Sequence, residues 1–281
     1  MSIHTEIQYA DSTCNVMVGC AGCELWSPTM PLPECYAAAL VGRYAGKKGW
    51  PDRFDKPEYY GERLNKAMQW PDLTGTKRPG KPWLDGMPRV IFLNDLGDTF
   101  TTEGRHEEWL APALHQMGNS PHIWLLLTKR PGVMADFFED CSLPSNVWPG
   151  VSITSQTTAG RILSLIDINA KVRWLSCEPL IGRVTVGLDG ILPRDAGLGY
   201  RPVGELVNWV TIGGGSGPNA KPCNVQWIRN MITETKTNGV QCFVKQLGSF
   251  CIEEQGSQCR RILHDDPKGG DMSEWPEDLR V

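Results

Sequence analysis

The chain has 281 residues, of which 41% are hydrophobic and 21% charged, and its formal net charge is −4. This length and apolar content predict a large hydrophobic core, and the sequence contains no run of about 18 apolar residues that could span a bilayer. The acidic balance excludes a general attraction to phosphate backbones, so any nucleic-acid binding must come from local basic patches.

Cysteine usage indicates the compartment. The chain has ten cysteines, a number that suits a disulfide framework only in a small secreted protein, and no apolar secretory segment follows Met1. We therefore expect a cytoplasmic protein whose thiols are reduced and available to bind metal.

Three cysteines follow a first candidate strand within residues 12–18. They are Cys20, Cys23 and Cys35, in the stretch GCAGCELWSPTMPLPECYAAALVGRYAG, where an apolar run turns into a helix. The C-x2-C spacing places two thiols on one tight turn, and a third thiol at the start of the next helix can complete a sulfur-rich site. The pattern predicts an iron–sulfur site or a zinc site. Zinc prefers four protein ligands and would take Cys14 as the fourth.

Residues 47–88 form a long insertion in which Gly, Pro and aromatic residues surround one helix-like stretch, EYYGERLNKAMQW. Such an insertion is typical of a lid, a binding loop or a partner surface, and some of its Trp side chains could stack on bases. Residues 187–206 form a second irregular link. From about residue 251 the sequence predicts an irregular C-terminal extension.

Short apolar runs alternate with helical patterns along most of the chain. The runs are too continuous for a strand with one solvated face, which is typical of parallel strands buried on both sides. With the strand within 12–18 there are seven candidates, one short of a closed eightfold barrel. We therefore predict a single α/β domain over 1–281 with a partial, open TIM-like β/α barrel. The other runs are PRVIFLNDLGD, HIWLLLTKRP, VWPGVSIT, VRWLSCEPL, NWVTIGGGSG and QCFVKQLG, and the helical segments include EEWLAPALHQM, PGVMADFF, TTAGRILSLIDIN and NVQWIRNMITETKTNG.

Polar or flexible residues follow each predicted strand. In a parallel barrel the carboxyl ends of the strands converge on one mouth, so residues distant in sequence become neighbours there. For Gly213 to Gly215, a strand-to-helix turn explains the glycines as well as contact with a cofactor does. Lys129 and Arg130 could remain solvated without binding a ligand. The candidate mouth residues are Asn94, Asp95, Lys129, Arg130, Ser152, Glu178, Gly213, Gly214, Gly215 and Lys245.

Motifs along nearly the whole chain resemble a known family. They include STCNVMVGC, CELW, LNDLGDTF, LTKRP, NVWPGVSIT, WLSCEPLIG, VTIGGGSGPNAKP and KGGDMSEWPEDLRV. In this order they resemble the phage three-cysteine-motif proteins, which are similar to the radical S-adenosylmethionine superfamily. The resemblance implies a phage protein in the cytoplasm of a bacterial host, with a 4Fe–4S cluster and S-adenosylmethionine as cofactors. Cys14 stands where the family more often has Trp, which favours a packing role for this residue.

The resemblance also implies roles for individual residues. Three thiolates hold three irons of a four-iron cube, so the fourth iron is open to S-adenosylmethionine, whose cleavage yields a 5′-deoxyadenosyl radical. The iron ligands would be Cys20, Cys23 and Cys35, and the candidate catalytic residues Glu178, Lys129 and Lys245. The cofactor-binding residues would be Tyr36, Asn94, Asp95, Ser152, Gly213, Gly214 and Gly215.

Three functions stay open at this point. The first is a radical enzyme that modifies a nucleotide, a nucleic-acid base or a base-linked group and takes electrons from a flavodoxin or ferredoxin. The second is a zinc-stabilised module that binds nucleic acid or a protein partner without catalysis. The third is an iron–sulfur electron carrier or redox sensor. No membrane partner is expected for any of them.

Overall fold

A computed structural model of the chain describes residues 1–30, 34–193, 200–255 and 258–281. These residues form two compact units. The first consists of residues 1–150 and 168–172, and the second of residues 151–167 and 173–281. Residues 194–199 of the predicted irregular link lie outside the described residues.

The first unit pairs parallel strands on which helices pack. The helix patterns of the sequence explain its longest helix, because the apolar residues Trp109, Leu110, Ala113, Leu114 and Met117 recur at helical spacing and are buried. The elements in chain order are β1 (Ser12–Cys14), β2 (Met17–Val18), α1 (Tyr36–Tyr44), β3 (Glu58–Tyr59), α2 (Glu62–Ala67), β4 (Val90–Leu93), α3 (His106–Gly118), β5 (Ile123–Thr128), α4 (Pro131–Asp140) and the start of β6 (Val147–Ser152).

The second unit begins within β6 and continues the same alternation. In this unit the strand at residues 209–213 pairs in parallel with residues 174–177 on one side and with residues 241–246 on the other. The elements in chain order are α5 (Arg161–Asp167), β7 (Trp174–Cys177), β8 (Ile191–Pro193), β9 (Tyr200–Pro202), β10 (Trp209–Gly213), β11 (Cys223–Asn224), α6 (Val225–Thr237), β12 (Gln241–Gln246), β13 (Cys251–Gln255) and β14 (Gln258–Ile262).

Seven parallel strands form one sheet in the order β1-β4-β5-β6-β7-β10-β12. All seven lie where the sequence predicts strands, and all four residues of β4 and of β7 are buried. The order follows the chain without reversal, as in a barrel and unlike a doubly wound sheet. Because β1 and β12 are edges, the sheet is open, and the predicted class of a partial, open β/α barrel is confirmed.

Regular structure is present where the sequence predicts an irregular extension. β13 and β14 form an antiparallel hairpin, and β13 also pairs in parallel with β11. In the hairpin register Glu253 lies opposite Arg260, and opposite charges on facing positions stabilise a strand pair. The charged residues hide the apolar alternation that normally indicates strands. Among the described residues, none of the helices combines the length and apolar character needed to cross a bilayer.

Candidate active site

The segment from Cys20 to Trp26, which we call the cysteine turn, follows β2, and its start is fixed by the backbone. Gly19 N–H donates to the Leu96 carbonyl (3.0 Å), and Cys20 N–H donates to the Phe54 carbonyl (2.8 Å). Gly19 has a φ of 113°, and a Cβ there would lie 2.8 Å from the Phe54 oxygen. Only glycine permits this approach, so the first thiol is placed by the close contact of two backbone segments.

Backbone amides point at both sulfur atoms of the turn. Gly22 N–H donates to Cys20 Sγ at 3.5 Å, and Leu25 N–H donates to Cys23 Sγ at 3.4 Å. Gly22 has a φ of 117°, a conformation that residues with a side chain rarely adopt. Amides directed at sulfur stabilise the negative charge that a metal-bound thiolate carries. The local backbone therefore favours these two thiols as ligands.

Cys35 immediately precedes α1, as the sequence predicts for a thiol at a helix start. It packs, partly buried, against the apolar cluster that contains Cys20 and the α1 residues Ala37 and Val41. The third candidate ligand therefore belongs to the same packed region as the first. Among the described residues, which include all three cysteines, no group of three Cys, His, Asp or Glu side chains is placed to hold one metal ion.

Burial and nearby positive charge have opposite effects on the pKa of the thiols in the turn. Burial raises the pKa of Cys20, the charge of Asp98 adds to the shift, and Arg130 opposes it. Burial likewise raises the pKa of Cys23, to about 11, against the attraction of Lys129. Both thiols are therefore protonated near neutral pH in the absence of metal, and metal binding would release their protons.

Arg130 connects the end of β5 to the cysteine turn. Its Nη2 donates to the Gly22 carbonyl at 2.8 Å, and its backbone N–H donates to Thr128 Oγ1 at 2.9 Å. The Thr128 hydroxyl donates to Asp98 Oδ1 (2.7 Å), and Lys129 N–H donates to Asp98 Oδ2 (2.8 Å). One buried carboxylate thus fixes the backbone that carries both cations beside the turn.

Asn94 follows β4 and holds the surrounding backbone together. It is buried and has a φ of 59°, which is uncommon for a residue other than glycine. Its Oδ1 accepts from Met17 N–H (3.0 Å), and its Nδ2 donates to Thr99 Oγ1 (2.8 Å). Both polar atoms of this predicted cofactor-binding side chain therefore serve the structure of the loop.

Asp95 and Tyr36 lie next to each other in the first unit. The Asp95 carboxylate accepts from Asn15 Nδ2 at 2.6 Å, and the Tyr36 hydroxyl donates to the Asp95 backbone carbonyl. Burial raises the pKa of Asp95, while half of the Tyr36 surface is exposed. Of the two, Tyr36 is the more accessible to a ligand.

Glu178 is the centre of a polar group in the second unit. Its Oε2 accepts from the hydroxyls of Thr211 (2.9 Å) and Ser176 (3.3 Å). Its Oε1 lies 3.2 Å from Lys245 Nζ, with the two side chains 9% and 23% exposed. Ser152 Oγ donates to the Glu178 backbone carbonyl at 3.1 Å. Side chains from β7, β10 and β12 therefore contact one buried carboxylate, which is costly to bury unless it is paired in this way.

The glycine run is shaped by its neighbours. A Cβ on Gly213 would lie 3.0 Å from Glu178 Oε1, and a Cβ on Gly214 would overlap the Leu247 carbonyl oxygen. At Gly215 the nearest atom would be at ordinary contact distance. The first two glycines are thus needed for close packing of the strand end, and only the third has room beside it.

Residues 4–273 match the family described as protein of unknown function (DUF5131). This chain belongs to that family. No curated protein and no solved structure matches it. Because the family description states no activity, the function of this DUF5131 protein must be argued from its own residues.

The predicted site residues of this DUF5131 protein fall into two groups, one in each compact unit. The group in the first unit combines thiols, amides and cations, and that in the second combines a carboxylate, an ammonium group and hydroxyls. The first group is Cys20, Cys23, Cys35, Tyr36, Asn94, Asp95 and Lys129, and the second is Ser152, Glu178, Gly213, Gly214, Gly215 and Lys245.

Sequence reasoning missed two residues that organise these groups. Asp98 accepts from the backbone N–H of Phe100, two residues further on, at 3.0 Å. Such an Asx turn is signalled by Asp in a polar stretch after a strand, so Asp98 could have been found. Thr211 is buried in the middle of β10, and nothing in that apolar run indicates that its hydroxyl bonds to Glu178.

Proposed function

We propose that this DUF5131 protein is a radical S-adenosylmethionine enzyme in which Cys20, Cys23 and Cys35 hold a 4Fe–4S cluster. The observation that carries the proposal is the turn after β2, where backbone amides are directed at the sulfur atoms of both Cys20 and Cys23. Three thiolates would leave one iron without a protein ligand, which is the position that S-adenosylmethionine requires.

The chemistry of the donors fits the cluster. Soft thiolates are the preferred ligands of iron–sulfur clusters, and Cys35 packs against the same apolar cluster as Cys20. Since the described residues hold no three-ligand group ready for a metal, the proposal requires the Cys35 side chain to approach the pair when the cluster is assembled. Cys14 is not required, because its thiol donates to the Arg63 carbonyl (3.6 Å) in the buried interior.

An electron from the external donor would pass through the cluster to S-adenosylmethionine, whose sulfonium C–S bond would break to give methionine and a 5′-deoxyadenosyl radical. The residues of the chain would bind and orient the cofactors and the substrate, and they would exclude water from the site. Lys129 and Arg130, fixed by the Asp98 network, would offset the negative charge of the thiolate-bound site. In the second unit, Glu178 and Lys245 form the pair that could exchange a proton with a bound group or bind its charges.

The substrate we propose is a nucleotide, a nucleic-acid base or a base-linked group, with a flavodoxin or ferredoxin as the electron donor. Such a protein would work in the cytoplasm of a bacterial host, in a phage context. The support for this class is the motif resemblance, together with the positive charges that follow β5.

Anaerobic reconstitution with iron and sulfide tests the proposal. We expect about four irons per chain and reductive cleavage of S-adenosylmethionine to 5′-deoxyadenosine. Cys20→Ser, Cys23→Ser and Cys35→Ser should each lose most of the iron, while Cys259→Ser, at an exposed position, should keep it.

Three results would contradict the proposal, each in a recognisable way. Protein that takes up no iron would reject the cluster. Stoichiometric zinc that is lost in Cys14→Ser would select the zinc module. A full cluster that never cleaves S-adenosylmethionine would select the electron carrier or redox sensor.

A further inference from the structure

Positive charge is concentrated in residues 43–56, which we call the basic segment. It contains five cations and two anions, a net charge of +3, in a chain whose total is −4, so the other residues together carry −7. The cations are Arg43, Lys47, Lys48, Arg53 and Lys56. A local basic stretch in an acidic protein indicates an anionic partner at that place, because the remaining surface repels one.

Most of this charge is available to a partner. Arg53 pairs with Asp55, whereas Arg43, Lys47, Lys48 and Lys56 have exposed side chains and make no ion pair within the described parts of the chain. The exposed large hydrophobic residues all lie outside the segment. A membrane surface is therefore disfavoured, since interfacial segments insert apolar side chains beside their cations.

The basic segment is held in a defined conformation. Tyr44 stacks on Trp50 with ring centroids 4.8 Å apart, and Lys47 Nζ lies 5.0 Å from the Tyr44 centroid. Trp50 packs against the apolar cluster of the first unit, and Arg63 Nη2 donates to a carbonyl within the segment. Lysines on a fixed backbone lose less conformational entropy when they bind than lysines on a free loop.

The segment is connected directly to the proposed cluster ligands. Cys35 precedes α1, and the segment begins at Arg43 in the last turn of that nine-residue helix, about 12 Å further along at about 1.5 Å per residue. A free nucleotide carries its phosphates at one point. It therefore cannot both contact cations spread over 14 residues and place its base near Cys35. A polynucleotide strand can contact both.

We propose that residues 43–56 bind the phosphate backbone of a single-stranded nucleic acid. The inference deepens the proposed function by assigning its substrate as a polymer, and it depends on that function only for the chemistry performed on the strand. The four cations predict contacts with about four phosphates. The expected slope of log affinity against log salt is then about −2.8, so affinity falls about 50-fold between about 50 and 200 mM salt.

Fluorescence anisotropy with apo protein and labelled single strands of about 20 nucleotides tests the inference independently of any cluster. Lys47→Gln with Lys48→Gln should bring the slope to about −1.4 and weaken binding of all sequences alike. The matched control is Lys171→Gln with Lys236→Gln, at two exposed positions elsewhere, which should bind like the wild type.

Several outcomes would overturn the inference. Absence of oligonucleotide binding by the wild-type protein would do so, as would unchanged binding by the Lys47 and Lys48 variant. Stronger binding to an acidic peptide or to anionic vesicles than to oligonucleotide would assign the segment to another class of partner. Strand binding by a protein that never assembles a cluster would support the inference and reject the proposed function, so the two failures are distinguishable.

Discussion

Asp98→Asn is expected to loosen the loop that carries both cations beside the cysteine turn. The buried carboxylate accepts three hydrogen bonds, from Thr128 Oγ1 (2.7 Å), Lys129 N–H (2.8 Å) and Phe100 N–H (3.0 Å). An amide has one acceptor oxygen. In one orientation its NH₂ faces Lys129 N–H, and in the other it faces Phe100 N–H, so at least one buried donor loses its acceptor.

The magnitude follows from these contacts. A hydrogen bond to a charged group contributes about 1.5–3 kcal/mol, and a buried donor left unsatisfied costs about 1–3 kcal/mol. Because these terms overlap, we expect the free energy of unfolding to fall by about 3 kcal/mol. With about 2.1 cal/mol/K of unfolding entropy per residue, 281 residues give about 0.6 kcal/mol/K. The melting temperature should therefore fall by about 5 °C.

Differential scanning calorimetry measures this shift, with Asp140→Asn as the control because Asp140 is exposed at the end of α4. The control should change stability by no more than about 0.5 kcal/mol. A shift below about 1 °C for Asp98→Asn would refute the reasoning, because it would mean that the three hydrogen bonds do not hold the loop. Reconstituted Asp98→Asn should also retain less iron than the wild type.

Two further predictions concern packing and pH. Gly214→Ala should lower the free energy of unfolding, measured by urea denaturation, by about 2–4 kcal/mol, because the added Cβ would overlap the Leu247 carbonyl oxygen. The control Gly132→Ala, at a position with open space in α4, should be neutral or stabilising. An equal loss of stability in the two variants would contradict this account. Burial and the charge of Arg89 lower the pKa of His122, so below about pH 6.5 the unfolded chain binds more protons and stability decreases until the lower folded pKa is reached. His122→Asn should flatten this dependence between about pH 7 and 5, and an unchanged slope would show that His122 is not its source.

The cysteine turn shows what the spacing of cysteines in the sequence can and cannot predict. The position of Cys35 correctly predicts a thiol at the start of α1, whereas the hydrogen-bonded turn lies at Cys23–Trp26 and not between the two thiols of the C-x2-C pair. Spacing says nothing about Arg130, whose guanidinium reaches the Gly22 carbonyl over more than a hundred residues. Such a contact depends on which strand ends are neighbours, and that is set by the order of strands in the sheet.

The glycine run shows a different limit. Three consecutive glycines after a strand favour a turn and cofactor contact equally. The structure distinguishes the three positions from one another, because Gly213 and Gly214 adjoin Glu178 and the Leu247 carbonyl while Gly215 has room beside it. This distinction depends on the side chain and backbone that arrive from other strands, and no local pattern contains that information.

By itself the sequence determined the seven strands, the main helices and the class of the fold, because strands buried on both faces and helices with one buried face leave periodic signals among neighbouring residues. Only the tertiary structure decided which polar groups meet, such as Glu178 with Thr211 and Lys245. It also decided which predicted ligands are occupied in holding the fold, as Asn94 is. The physical reason is that a hydrogen bond or an ion pair requires two groups within about 3 Å. For residues far apart in the chain, that proximity depends on strand order and register.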